Sequence, residues 1–127
     1  MKTRVLLVDD SPLLRRSMKR ALVQIGIAEE NVWEAGNGQE ALRAIAGNPV
    51  DLVLLDLNMP VMDGETFARV VRFEKKYDHI PIVIVSTESN KARLDRLRDM
   101  GINGYLHKPF EPEDLRGLLG DVFKKAQ

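Results

Sequence analysis

The stretch Val5-Leu6-Leu7-Val8-Asp9-Asp10-Ser11-Pro12-Leu13-Leu14 decides the fold. Four consecutive apolar residues that halt at two aspartates are too short for a helix and lack the alternation of a half-exposed strand. They fit a parallel strand covered on both faces. Ser11 offers a hydroxyl for an N-cap and Pro12 suits a first helical turn. Beyond them Leu13, Leu14, Met18, Ala21, Leu22 and Ile25 share one helical face. A buried strand running straight into an amphipathic helix is a βα unit, and the same pattern recurs down the chain.

Outward from that stretch, Val32 to Ala35, Leu52 to Leu55, Ile82 to Val85 and Gly104 to Leu106 read as further strands. The last helix is marked by Leu115, Leu118, Leu119, Val122 and Phe123, with Gly117 and Gly120 weakening it. The punctuation agrees: Gly47-Asn48-Pro49 and Gly101 are helix stops, and Glu111-Pro112-Glu113-Asp114 is an acidic helix start. Trp33 is assigned to packing. Five βα units predict an α/β fold, a doubly wound five-stranded parallel sheet, within a single domain spanning residues 1–127.

The composition narrows the function. Lys+Arg 19 against Asp+Glu 19 leaves no net field to draw the chain to nucleic acid or an anionic membrane. The absence of cysteine excludes disulfides, thiol catalysis and zinc-thiolate sites and fits a cytoplasmic setting. Met1-Lys2-Thr3-Arg4 leads into too few apolar residues for a signal peptide or a membrane span. With only His79 and His107 present, a histidine metal site is not expected.

In open parallel sheets ligands gather beyond the carboxyl ends of the strands, where the winding reverses. Those ends carry Asp9 and Asp10 after the first strand, Asp56 after the third, Ser86 and Thr87 after the fourth, and Lys108-Pro109 after the fifth. If the strand order is 2-1-3-4-5, the three carboxylates converge on one small space. They repel unless a cation joins them, and a hard oxygen-ligand ion, Mg²⁺ rather than Ca²⁺, suits such a set. Lys108 adds positive charge without ligating, and the Ser86 hydroxyl can donate to an anion. The pocket is suited to a phosphoryl group, whose transfer needs positioning and charge neutralisation more than acid-base machinery. Singly, each residue has an ordinary alternative: Asp9-Asp10 and Ser86 as helix caps, Asp56 as the start of a turn punctuated by Pro60 and Asp63-Gly64, Lys108-Pro109 as a loop dipeptide. Their joint occurrence at matching strand ends favours a site.

The motifs Val-Asp9-Asp10-Ser, Leu-Leu-Asp56-Leu-Asn58-Met-Pro-Val-Met-Asp63-Gly64, Val-Ser86-Thr-Glu and Gly-Tyr105-Leu-His-Lys108-Pro109-Phe110 resemble those of the receiver domain of two-component response regulators. The resemblance implies a flavodoxin-like (βα)5 fold in which Asp56 takes a phosphoryl group from a sensor histidine kinase, a histidine phosphotransfer protein or a small phosphodonor. It implies Mg²⁺ held by Asp10, Asp56 and the Asn58 main-chain carbonyl, with Asp9 acting through water. Lys108 would pair with the phosphoryl oxygens and precede Pro109 through a cis peptide bond. Ser86 and Tyr105 would form the switch, and the fourth helix, fifth strand and fifth helix the face read by a downstream protein. Asn58 and Glu88 would tune hydrolysis of the acyl phosphate. Thr87 stands where the family usually has a smaller residue, and its branched side chain would narrow the path to Asp56. The fourth-helix charges Lys91, Arg93, Asp95, Arg96, Arg98 and Asp99 are assigned to a solvated face.

A stand-alone receiver of chemotaxis or phosphorelay type is the expectation from length. The alternatives are a receiver belonging to a longer regulator with a DNA-binding or enzymatic output domain, a haloacid-dehalogenase-like phosphatase, and a non-phosphorylated pseudo-receiver. The phosphatase normally has a second Asp where Asn58 stands, and pseudo-receivers usually lose an acidic residue or the lysine, all of which are retained here.

Overall fold

The computed structural model describes residues 2–125. Its elements are β1 (Val5–Val8), α1 (Pro12–Gln24), β2 (Val32–Ala35), α2 (Gly38–Gly47), β3 (Leu52–Leu55), α3 (Gly64–Phe73), β4 (Ile82–Ser86), α4 (Lys91–Asp99), β5 (Gly104–His107) and α5 (Pro112–Lys125), with short 3₁₀ turns at Glu29–Asn31 and Lys75–Tyr77. The strands form one parallel sheet in the order β2-β1-β3-β4-β5. This is the predicted doubly wound architecture, with β4 and β5 each one residue longer than the apolar runs suggest. Among the described residues no helix is long and apolar enough to cross a membrane.

Alternation along the strands sorts the core into two layers. Leu6, Val8, Val53, Leu55, Ile82 and Ile84 face a cluster that includes Ala41 and Ile45 of α2, Phe67 and Val71 of α3 and Leu97 of α4. Val5, Leu7, Leu52, Leu54, Val83 and Val85 face Met18 and Leu22 of α1 and Leu115, Leu119 and Val122 of α5. The three central strands β1, β3 and β4 are buried throughout, which is why their sequences read as unbroken apolar runs.

The predicted apolar face of α1 overreaches at its start. Met18, Ala21 and Leu22 are buried, but Leu13 and Leu14 are 70% and 40% exposed. The first turn, capped by Ser11 as expected, overhangs the end of the sheet beyond Val8. There it borders an open groove lined by Leu14, Met18, Thr87, Lys108 and Phe110 instead of packing on strands.

Two loop features were not legible in the sequence. The Arg72 guanidinium, at the end of α3, donates to the carbonyls of Gly101, Tyr77 and Ile80 and to the Asn103 side chain, tying the α3–β4 and α4–β5 connections together. Val61 adopts φ +68°, and Met62 N–H donates to the Pro60 carbonyl across it, a γ-turn about a branched residue. Such strain costs of order 1–3 kcal/mol, more than the extra chain entropy of glycine. Val61 is 83% exposed, so replacing it loses no packing. Val61→Gly is therefore expected to stabilise the fold by about 1 kcal/mol, read as a rise in thermal melting temperature.

Candidate functional site

Register assembles the site. Val8 lies opposite Leu55, so Asp9 and Asp56 emerge side by side at the switch point between β1 and β3. The ladder extends one residue past each strand: Asp9 N–H donates to Ala35 and Asp56 N–H to Val8. On the far side Ser86 lies opposite His107, and Lys108 N–H donates to the Ser86 carbonyl. Parity then divides the side chains. Lys108 follows the alternation of Leu106, on the α1/α5 side, as Asp9 follows Leu7 and Asp56 follows Leu54. Ser86 follows Ile84, on the side where Tyr105 packs.

Accordingly, Lys108 Nζ donates to Asp9 Oδ2 at 2.7 Å and lies 3.6 Å from Asp56 Oδ1. Asp9 is 1% exposed and Asp56 9%. Carboxylate oxygens of Asp9, Asp10 and Asp56 come within 4.8 Å of one another. Burial pushes the Asp56 carboxyl above its ordinary value; Lys108 pulls it down and Asp9 pushes it further up, leaving it raised. Both Asp9 oxygens are engaged, Oδ2 by Lys108 and Oδ1 by the Ser11 N–H at 2.9 Å, whereas Asp10 is exposed with no hydrogen-bond partner among the described residues. Hard oxygen donors so disposed fit a divalent cation of the magnesium type, with Asp10 and Asp56 the freer ligands.

Ser86 is 1% exposed, and its Oγ accepts the Glu88 N–H at 3.1 Å. A hydroxyl used as an acceptor retains its proton for a second partner. The Tyr105 hydroxyl, half-buried, donates to the main-chain carbonyls of Ser86 and Glu88. Burial raises its pKa, with the Glu88 charge adding to the effect. His107 is exposed on the same face of β5, its ring 6.2 Å from that of Tyr105. The Lys108–Pro109 peptide bond is cis. Asn58 and Thr87 are exposed at the rim.

The family model for the response regulator receiver domain matches residues 5–119. The chain belongs to that family. It is 40% identical over 120 residues to a chemotaxis protein CheY homolog of Campylobacter jejuni, covering 94% of this chain and 91% of the relative. The chemotaxis protein CheY4 of Vibrio cholerae superposes with a TM-score of 0.85 at 35% identity, over 94% of this receiver and 98% of that chain. The receiver domain of a Pseudomonas aeruginosa sensor histidine kinase, solved with a magnesium ion coordinated in its active-site cleft, superposes with a TM-score of 0.81 at 26% identity, over 95% and 98% of the two chains. Receiver domains are signalling switches rather than enzymes.

The structure of this receiver corrects the assignment of the fourth-helix charges. Arg93 is partly buried and bonds Glu88 at 2.7 Å and Glu65 at 3.4 Å, so it belongs to an internal network, not to a solvated face. Glu88 consequently turns its carboxylate toward α4. Its pKa is lowered, first by Arg93 and then by the Asn90 N–H. Sequence reading also missed that Asp63 caps α3, its Oδ1 accepting the Thr66 N–H at 2.8 Å. The Asp-Gly pair there, read as turn punctuation, was the available signal.

Proposed function

We propose that Asp56 is the phosphoryl acceptor of this receiver, within a single domain that works as a phosphorylation-controlled switch. The observation that carries this is the meeting of Asp9, Asp10, Asp56 and Lys108 at one end of the sheet, with a buried hydroxyl at Ser86 beside them.

An Asp56 carboxylate oxygen attacks the phosphorus of a phosphohistidine on a sensor histidine kinase or phosphotransfer protein, or of a small phosphodonor. The bond from phosphorus to the imidazole nitrogen of the phosphohistidine, or to the carboxylate oxygen of a donor such as acetyl phosphate, breaks; its electron pair leaves with the imidazole or the carboxylate, and an acyl phosphate remains on Asp56. Lys108, already between Asp9 and Asp56, receives the phosphoryl oxygens, and the free proton of Ser86 donates to another. Asp10, Asp56 and the Asn58 main-chain carbonyl would hold Mg²⁺, with Asp9 reaching it through water. When bound, Mg²⁺ neutralises charge on the transferring group. The new dianion draws on Ser86, whose loop carries the carbonyls that Tyr105 bonds, and so biases the α4–β5–α5 face that a downstream protein reads. Asn58, at the rim, and Glu88, whose main chain adjoins the pocket through Ser86, would tune the hydrolysis that ends the signal. Coverage of 91% of the Campylobacter relative's length supports a stand-alone, chemotaxis or phosphorelay type of receiver, and a cytoplasmic setting follows from the kinase partner.

The test uses Mg²⁺ with acetyl phosphate. A base-labile mass gain is expected in the native chain and none in Asp56→Asn; no gain, or one retained in the variant, would sink the assignment. Beryllofluoride should shift the resonances of Ser86 and Tyr105. The same variant tests the electrostatics. A carboxyl whose folded pKa is raised contributes stability that is fully present below its unfolded pKa and is lost progressively as pH rises through the folded pKa. Asp56→Asn should therefore gain stability at neutral pH, about 1 kcal/mol or some 4 °C in a domain of this size, and little in acid.

A further inference from the structure

Glu65, in the first turn of α3, receives three guanidinium groups: Arg69 at 3.0 Å, Arg96 at 3.2 Å and Arg93 at 3.4 Å. Arg93 continues the chain to Glu88 Oε1 at 2.7 Å, while Glu88 Oε2 accepts the N–H groups of Ser89 and Asn90. The side chains of Glu65, Glu88 and Arg93 are 16%, 23% and 24% exposed, so these bonds are screened less than an open surface pair. The two ends of the chain stand at the start of α3 and on the β4–α4 loop, the segments next to Asp56. Glu65 follows Gly64, whose N–H bonds the Leu57 carbonyl, and Glu88 bonds the Ser86 hydroxyl through its own N–H. With Oε1 on Arg93 of α4 and Oε2 on the Ser89 and Asn90 N–H groups that lead into that helix, the Glu88 carboxylate is engaged away from the pocket even though its backbone adjoins it.

We propose that Arg93 is a positioning residue that clamps Glu88 onto α4 and thereby lengthens the life of the phosphoryl group on Asp56. This rests on the reading of Asp56 as acceptor and Glu88 as a tuning residue. Hydrolysis requires a water oxygen to bond phosphorus as the bond to Asp56 Oδ breaks. The electron pair of that bond returns to the Asp56 carboxylate and the proton of the water must go to a base. A released Glu88 is a carboxylate on the rim able to take that proton and pass it to solvent. A clamped Glu88 is not.

The experiment phosphorylates the full chain with acetyl phosphate and Mg²⁺, removes the donor and follows decay of the phosphorylated mass, with thermal melting as a check of folding. R93Q should decay about tenfold faster, short of the full effect of a fixed general base because the freed side chain samples many rotamers. R93K, which restores the charge, should recover most of the lifetime, and R93Q/E88Q should lose the acceleration. R93M keeps the aliphatic stem and replaces R93Q should the latter not fold. Equal lifetimes in R93Q and the native chain, or acceleration that persists in R93Q/E88Q, would overturn the clamp alone. Absence of any mass gain in the native chain would instead overturn the acceptor reading and the clamp with it.

Discussion

Gly64→Ala is expected to abolish phosphoryl acceptance and to destabilise the domain by about 3 kcal/mol, the upper range for forcing atoms into a packed site. A Cβ at residue 64 would lie 2.0 Å from the carbonyl oxygen of Asp56 itself, and 3.0 Å from both the Asp56 carbonyl carbon and the Leu57 Cα. All of these are backbone atoms, so no side chain can turn aside to relieve the clash. Nor can α3 simply retreat, because Gly64 N–H bonds the Leu57 carbonyl at 2.9 Å and Asp63 caps the same turn. The only relief is to move the loop that aims Asp56. The melting temperature should fall by about 10 °C or more, and the acetyl phosphate mass gain should vanish. Gly117→Ala in α5 is the control. Beyond its chain neighbours and its own helix backbone, no heavy atom lies within 4 Å of its would-be Cβ among the described residues, so helix propensity alone should make it slightly stabilising.

Lys108→Ala is expected to cost about 3 kcal/mol without metal, because removing one partner leaves the other as an uncompensated buried charge. Asp9, 1% exposed, would keep only the Ser11 N–H, and Asp56 would lose the cation that lowers its pKa. The sign in pH follows: protonating the carboxylates removes the repulsion, so the deficit should be largest near neutrality and shrink in acid. Millimolar Mg²⁺ should recover much of the lost stability, as the cation takes over neutralisation. Acceptance should not recover with it and should stay about a hundredfold slower, since the charge developing on the phosphoryl oxygens loses its preorganised partner. Melting with Mg²⁺ or with chelator, set against the phosphorylation rate of the same samples, separates the two effects.

Both variants act at positions whose importance the sequence discloses unequally. Lys108 was legible because it sits at a strand end, and strand ends in a doubly wound sheet are where chemistry collects. Gly64 was read as punctuation and as the end of the receiver-like motif, with no packing role, since nothing in Asp63-Gly64 states that the Asp56 carbonyl passes so close. Arg93 was assigned to solvent for a related reason: a highly charged helix gives no sign of which cation its neighbours will enclose. Leu13 and Leu14 erred in the opposite direction, because periodicity identifies an apolar face without saying how far the sheet beneath it extends.

The sequence by itself determined the order of the five βα units, the two-sided burial of the central strands and the residues placed at each strand's carboxyl end. These follow from local periodicity, apolar run length and turn chemistry, all of which act over a few neighbouring residues. Only the tertiary structure decided which strand ends meet, that Lys108 bonds Asp9 more closely than Asp56, and that Glu88 faces Arg93 instead of the pocket. Those outcomes depend on strand register and on contacts between residues far apart in the chain, where shifts of an ångström decide which of several possible partners a charged side chain finds.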